Sequence, residues 1–226
     1  MRTAILLIVA SCCFLASAWA LEFEKAWEKG EANWNNGAVV FGCAAAGDRL
    51  YTVDSGFLRE WDASDGKPGR FVRLERPDAG PAVSADGSLL AVSAGMELAL
   101  YRLPGLEEAG RHRFEKDVAG AIAFAGDELV VGTKGGAVWK GKMGDEESWK
   151  KAEGDFEWNG IVVGAAVSSS GHIAVCGGDR VRVFDSSLAL QWEKAVKGGG
   201  LIGCFFVETD AGKWLVAASY AQTFFF

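Results

Sequence analysis

The sequence contains only two histidines, His112 and His172, sixty residues apart. A Ser-His-Asp triad needs a nucleophile, a base and an orienting acid to converge. His112 falls in a charged stretch. His172 falls in a polar turn, SSSGHIAV (168–175), where Ser neighbours His only along the chain. A basic surplus is also missing: 23 Lys and Arg stand against 30 Asp and Glu, a net charge of −7. That balance excludes a general nucleic-acid binder, which needs a basic face. The lysines of SWKK (148–151) read as a solvated strand edge. Cysteine is sparse, and Cys12 and Cys13 lie in the N-terminal apolar run. Cys43, Cys176 and Cys204 each sit in a strand-like apolar run, with no C-x-x-C pair and no Cys-His cluster. A zinc site and a disulfide framework are thereby excluded; buried thiols are expected, with at most one bridge. Asn33, Asn35, Asn36 and Asn159 all fail the N-x-S/T pattern, so N-glycosylation is not expected.

What is present begins at the N-terminus. Met1-Arg2 supplies a positive start, and residues 3–20 run for 18 residues without a charge. Ala18-Trp19-Ala20 then places small residues before Leu21-Glu22. This is the order of a secretory signal peptide over 1–20, leaving 21–226 as the mature chain. The competing reading is an uncleaved membrane anchor, since about 18 apolar residues just span a bilayer. Lipoprotein cleavage before Cys12, after Val9-Ala10-Ser11, would leave an apolar core of only a few residues.

The rest of the chain repeats. GDRL (47–50) is matched by DGSL (86–89), GDEL (126–129), SGHI (170–173) and AGKW (211–214). Their last letters, at 50, 89, 129, 173 and 214, are spaced by 39, 40, 44 and 41 residues. Before each turn stands a run of apolar and small residues: AVVFGC, GPAVS, AIAFA, GAAVS and LIGCFFV. After it comes a second apolar strand, then a third carrying Trp61, Tyr101, Trp139, Phe184 or Phe225. Four copies add a polar fourth strand: GRFVRL (69–74), RHRFEK (111–116), SWKKAE (148–153) and LQWEKA (190–195).

Four short strands per copy of about 40 residues describe a β-propeller blade. The predicted fold is all-β: a β-propeller of about five four-stranded blades near 38–74, 80–116, 121–153, 164–195 and 201–226. A two-sheet sandwich is the competing fold. The fifth copy shows no fourth strand, while LEFEKAWEKG (21–30) is similar to LQWEKAVKGG (190–199). Residues 21–30 are therefore expected to close the ring as the last blade's outer strand. The alternative is a piece of a larger propeller, since seven or eight blades take about 280 to 320 residues.

Trp61-Asp62 and Phe184-Asp185 resemble the Trp-Asp pair of WD-type blades, although no copy has that family's Gly-His pair. WDASDGKPGRF (61–71) resembles the D-A-x-T-G-K-x-x-W consensus of quinoprotein-like blades, with Asp65 for Thr and Phe71 as its aromatic; FDSSLALQW (184–192) is a looser match. A signal peptide running into GEANWNNGAVVF (30–41) and then such a blade resembles the start of the large luminal subunit of the ER membrane protein complex. That resemblance implies an N-terminal luminal part of a non-catalytic insertase subunit, without the family's downstream propeller, C-terminal region and membrane anchor.

Catalysis is not expected. Five-bladed glycosidases aim carboxylates into the central cavity, yet the five inner runs contain no Asp or Glu. Asp48, Asp86, Asp127 and Asp179 occupy turns instead. No cofactor is expected: the quinone enzymes that the blade motif resembles use eight blades. KGGAVWKGK (134–142) and KGGG (197–200) miss the phosphate-loop pattern. The functional expectation is a protein-binding scaffold in the secretory pathway, in the ER lumen or secreted. Its partners would be other proteins. It would bind no nucleic acid, and would meet a membrane only through an uncleaved N-terminal segment or a membrane complex. Trp27, Trp34 and Trp158, at blade entrances, are the candidate protein-contact residues; Trp61 and Trp139 are expected in blade packing. A carbohydrate-binding lectin or glycosidase-type propeller is the rival reading.

Overall fold

A computed structural model describes residues 40–54, 56–114, 117–154, 161–197, 200–209, 212–219 and 221–226. The proposed signal peptide, the closing strand 21–30, and Trp27, Trp34 and Trp158 lie outside the described residues.

The described chain is all-β and forms five antiparallel sheets, the blades of a β-propeller. Blade one holds β1 (Val40–Ala46), β2 (Arg49–Asp54), β3 (Phe57–Asp62) and β4 (Pro68–Arg73). Blade two holds β5 (Ala82–Val83), β6 (Leu89–Ala94), β7 (Glu97–Arg102) and β8 (Glu107–Arg113). Blade three holds β9 (Ala119–Ala125), β10 (Glu128–Thr133), β11 (Val138–Lys142) and β12 (Asp145–Lys151). Blade four holds β13 (Val162–Val167), β14 (Ile173–Gly177), β15 (Arg180–Phe184) and β16 (Leu190–Ala195). Blade five shows three strands among the described residues: β17 (Leu201–Thr209), β18 (Gly212–Ser219) and β19 (Thr223–Phe225). Each sheet runs in chain order, and the first strand of each blade lies against the first strand of the next.

Local chemistry sets the hairpins. Gly126 sits at φ +67 in the β9–β10 turn, a conformation that costs glycine nothing. In the matching β5–β6 turn, Asp86 accepts hydrogen bonds from Ser84 Oγ, Ser88 N and Ser88 Oγ. The aromatic-Asp pairs work alike in two blades. Asp62 takes the N–H and hydroxyl of Ser64, and Asp185 those of Ser187. In both blades the Asp after the aromatic thus ties down the turn into the outer strand.

Packing follows from the sandwiching of blades. Four apolar clusters each join consecutive blades, from one–two to four–five. No such cluster among the described residues joins blade five to blade one. The second strands β10 and β14 are accordingly buried almost throughout, whereas β2 and β18 are buried only at some positions. The innermost strands approach too closely for most side chains. A Cβ on Gly164 would lie 2.8 Å from Cys176 Sγ, Cys204 N and Gly203 Cα. Cys176 and Cys204 are buried thiols at this blade four–five contact, and Cys43 is a half-buried thiol in β1.

Candidate functional site

Two concave regions stand out on opposite ends of the blades. The smaller lies at the seam of blades four and five, where the β13–β14 turn meets the outer strands. It encloses about 220 Å³ and is walled by Trp192, Phe206, Trp214 and Phe226 with polar groups from Ser168, Ser170 and His172. Trp192 is 38% exposed and Trp214 45% exposed, although most large apolar side chains here are buried. The Trp192 and Phe226 rings stand 5.9 Å apart, and Lys194 Nζ lies 5.8 Å from the Phe226 centroid. The aromatic wall is thus assembled from two blades: β16 supplies Trp192, and blade five supplies the rest.

The polar rim of this seam is a small network. Ser170 Oγ lies 3.0 Å from His172 Nδ1, and Ser168 Oγ accepts the His172 N–H at 2.9 Å. Ser169 donates its N–H and hydroxyl to Glu208, which also faces Lys213 Nζ at 3.6 Å. The hydrogen bonds from Ser169 hold the Glu208 carboxyl below its ordinary range. Glu208 belongs to β17, so an inner strand does carry a carboxylate at its end, beyond the apolar run. It serves Ser169 and Lys213 rather than the imidazole, and among the described residues no carboxylate holds the second ring nitrogen of His172. The arrangement therefore lacks the orienting acid of a triad. It presents aromatic faces, a hydroxyl pair and an imidazole to the pocket.

The larger region is a cleft of about 1150 Å³ beside blade two, where the β4–β5 and β6–β7 connections and the end of β8 meet. Ser93 Oγ fixes its floor by accepting the N–H groups of Asp78 and Ala79, each at 2.8 Å. Arg73 and Arg76 reach it from the end of β4 and the residues after it, and Arg111 and Arg113 from β8.

Other placements match sequence expectation only in part. His112, read as part of a charged outer strand, is buried at 8% exposure. Its ring stacks on Trp149 and its Nδ1 lies 3.1 Å from Glu146 Oε2. Trp139 is half-buried against the blade two–three cluster. Trp61 is half-buried and donates its indole N–H to Thr52 Oγ1 at 2.9 Å. The third-strand aromatics that are fully enclosed are Tyr101 and Phe184, while Phe225 is 56% exposed. Among the described residues no three His, Cys, Asp or Glu side chains gather as a metal site, and no helix is long and apolar enough to cross a membrane.

Trp192 and Trp214 were not singled out from the sequence. The signal available was Trp192 within LQWEKA, a strand whose six residues are all exposed. No protein-family model matches the chain, and no curated protein matches it.

Proposed function

We propose that this chain is a non-enzymatic protein-binding scaffold of the secretory pathway that holds a partner at the seam of blades four and five. The observation that carries the reading is the exposed Trp192–Trp214 pair over a preformed pocket. Exposed tryptophans in a concave setting are the side chains on which binding energy concentrates. Loops from successive blades converge on each end of a propeller, which suits protein contact. The secretory location rests on the charge, apolar core and A-x-A order of residues 1–20. The blade type we assign is WD- or quinoprotein-like, supported by the shared turn-tying role of Asp62 and Asp185. The same start of the chain supports placement as the N-terminal luminal part of an ER membrane-protein insertase subunit.

A carbohydrate-binding reading has one observation in its favour. Trp faces beside Ser170 and His172 offer both a stacking platform and hydroxyl-directed hydrogen bonds. Proximity labelling in a secretory cell line separates the two. Protein binding predicts a labelled set that disappears when Trp192→Ser and Trp214→Ser are combined. Glycan-array binding lost in the same double variant, with labelling unchanged, would establish the lectin instead. Hydrolysis of a glycoside panel, abolished by Glu208→Gln, would overturn the non-enzymatic reading.

A further inference from the structure

The cleft beside blade two has an unusual balance of charge. Arg111 is committed, holding Glu97 at 2.9 Å and Glu108 at 2.8 Å. Asp78 is engaged by Lys134 at 2.6 Å. That leaves Arg73, Arg76 and Arg113, all exposed, with no ion-pair partner among the described residues, against Glu75 alone on the acidic side. Three uncommitted guanidinium groups on one concavity stand out in a chain of net charge −7.

Arg76 adds a second observation. It holds φ +45 immediately before Pro77, a backbone region that suits glycine and that a residue preceding proline avoids. The Gly95 N–H on the β6–β7 turn fixes it by donating to the Arg76 carbonyl at 3.1 Å. An arginine is thus kept at the cleft at a conformational cost that glycine would not incur, a pattern associated with functional positions.

The lining also decides between anions. Met96 and Val118, half-buried over the enclosed Leu74 and Ala94, give the cleft an apolar strip, which a phosphate would not use and an aliphatic side chain would. Glu75, with Asp78 and Glu97 already paired to Lys134 and Arg111, holds the net positive charge of the lining low, which disfavours a densely charged polyanion. The volume, about 1150 Å³, exceeds what a single small anion fills. We propose that this cleft binds an acidic peptide segment of a partner protein. Its carboxylates pair with Arg73, Arg76 and Arg113, whose forked guanidinium groups match carboxylates bidentately, and its aliphatic side chains lie on Met96 and Val118. The inference rests on the protein-binding reading and adds the chemical character of the partner, at a site separate from the aromatic seam.

The test is fluorescence anisotropy of the full chain with a short labelled peptide of Glu, Leu and Gly. Each Arg→Gln change at 73, 76 or 113 is expected to weaken binding about threefold, the worth of one exposed charge pair, and the triple change more than tenfold. Raised salt is expected to weaken it further. Arg76→Gly separates binding from folding: it is expected to raise the melting temperature while weakening the peptide. Unchanged affinity in the triple Gln variant overturns the proposal. So does competition by inorganic phosphate as effective as that by unlabelled peptide. The Trp192→Ser, Trp214→Ser double variant is expected to keep peptide affinity. Failure of the peptide assay alongside seam-dependent labelling therefore sinks the cleft alone, and failure of both sinks the scaffold reading with it.

Discussion

His112 lies nearly flat on Trp149, ring centroids 4.1 Å apart and planes 14° from parallel. Phe114 stands edge-on to both rings, at 4.8 Å from His112 and 5.6 Å from Trp149. These contacts join the outer strand of blade two to the outer strand of blade three. They extend the inter-blade core to the rim, where solvent would otherwise enter.

The stack makes His112 a packing residue. His112→Ala is expected to destabilise the chain by about 1–2 kcal/mol, from lost aromatic contact and buried area. His112→Phe keeps the ring contact and is expected to recover most of that loss. Urea unfolding measures both; equal loss in the two variants would show that the Glu146 contact, not the stack, matters.

Gly164 and Gly203 form a matched pair of tests. Gly164→Ala would drive a methyl into Cys204 N and Gly203 Cα at 2.8 Å, where backbone must shift. The expected cost is about 1–3 kcal/mol. A Cβ on Gly203 meets nothing within 4 Å, so Gly203→Ala is expected to be near neutral. Thermal melts that rank the two in the opposite order would refute the close blade four–five contact.

The blade pattern was legible in the sequence because it is written in local chemistry. Leu50, Leu89, Leu129, Ile173 and Trp214, the turn-derived markers, all fall in second strands. Asp86 and its flanking serines specify their turn without help from distant residues. His112 was misread because its partners are in the next blade, although alternation in R-H-R-F already put His112 and Phe114 on the side opposite Arg111 and Arg113. The two concave sites were not legible at all. Trp192 and Trp214 wall one seam from different blades, and Arg113, in β8, joins Arg73 and Arg76 from about forty residues away in the chain.

Arg182 is 3% exposed on β15, and Glu193, opposite it on β16, pairs with both Arg182 and Arg180. Removing the carboxylate takes from this buried guanidinium the counter-charge that Glu193 supplies. Glu193→Ala is expected to cost about 3 kcal/mol. Combining Arg182→Leu with Glu193→Leu is expected to cost less than Glu193→Ala, because no buried charge is then stranded. Equal destabilisation in chemical denaturation would place the energy in packing instead.

Asp86 provides a pH test. Hydrogen bonds from Ser84, then Ser88, lower its pKa from the ordinary 3.8 to about 2. A depressed folded value means that the ionised carboxylate favours the folded state. Its contribution is complete above 3.8 and is lost as pH falls towards about 2. Asp62 and Asp185 are lowered by Ser64 and Ser187 in the same way, so other turns weaken in parallel. The informative quantity is the difference in melting temperature between the native chain and Asp86→Asn. It is expected to be constant above about pH 5 and to shrink below it. A difference independent of pH would mean that the turn does not depend on the charge.

The cysteines differ in exposure, which bears on their reactivity. The Cys176 thiol is fully buried, and the neighbouring Cys204 thiol and burial push it well above its ordinary value. Cys204, 8% exposed, points towards the Ala174 carbonyl at 3.8 Å. Thiolate is the reactive form, so a thiol held protonated in an apolar contact is inert while the blades stay packed. Cys43 is half-buried on β1. Brief alkylation of the reduced native chain at mildly alkaline pH is therefore expected to modify Cys43 first among these three. Cys176 and Cys204 are expected to react together only once denaturant separates blades four and five. Peptide mapping after alkylation reads the order directly. Early labelling of Cys176 would mean that the blade four–five contact opens in the native state, and Gly164→Ala should then accelerate that labelling little, since the contact it disrupts would already be loose.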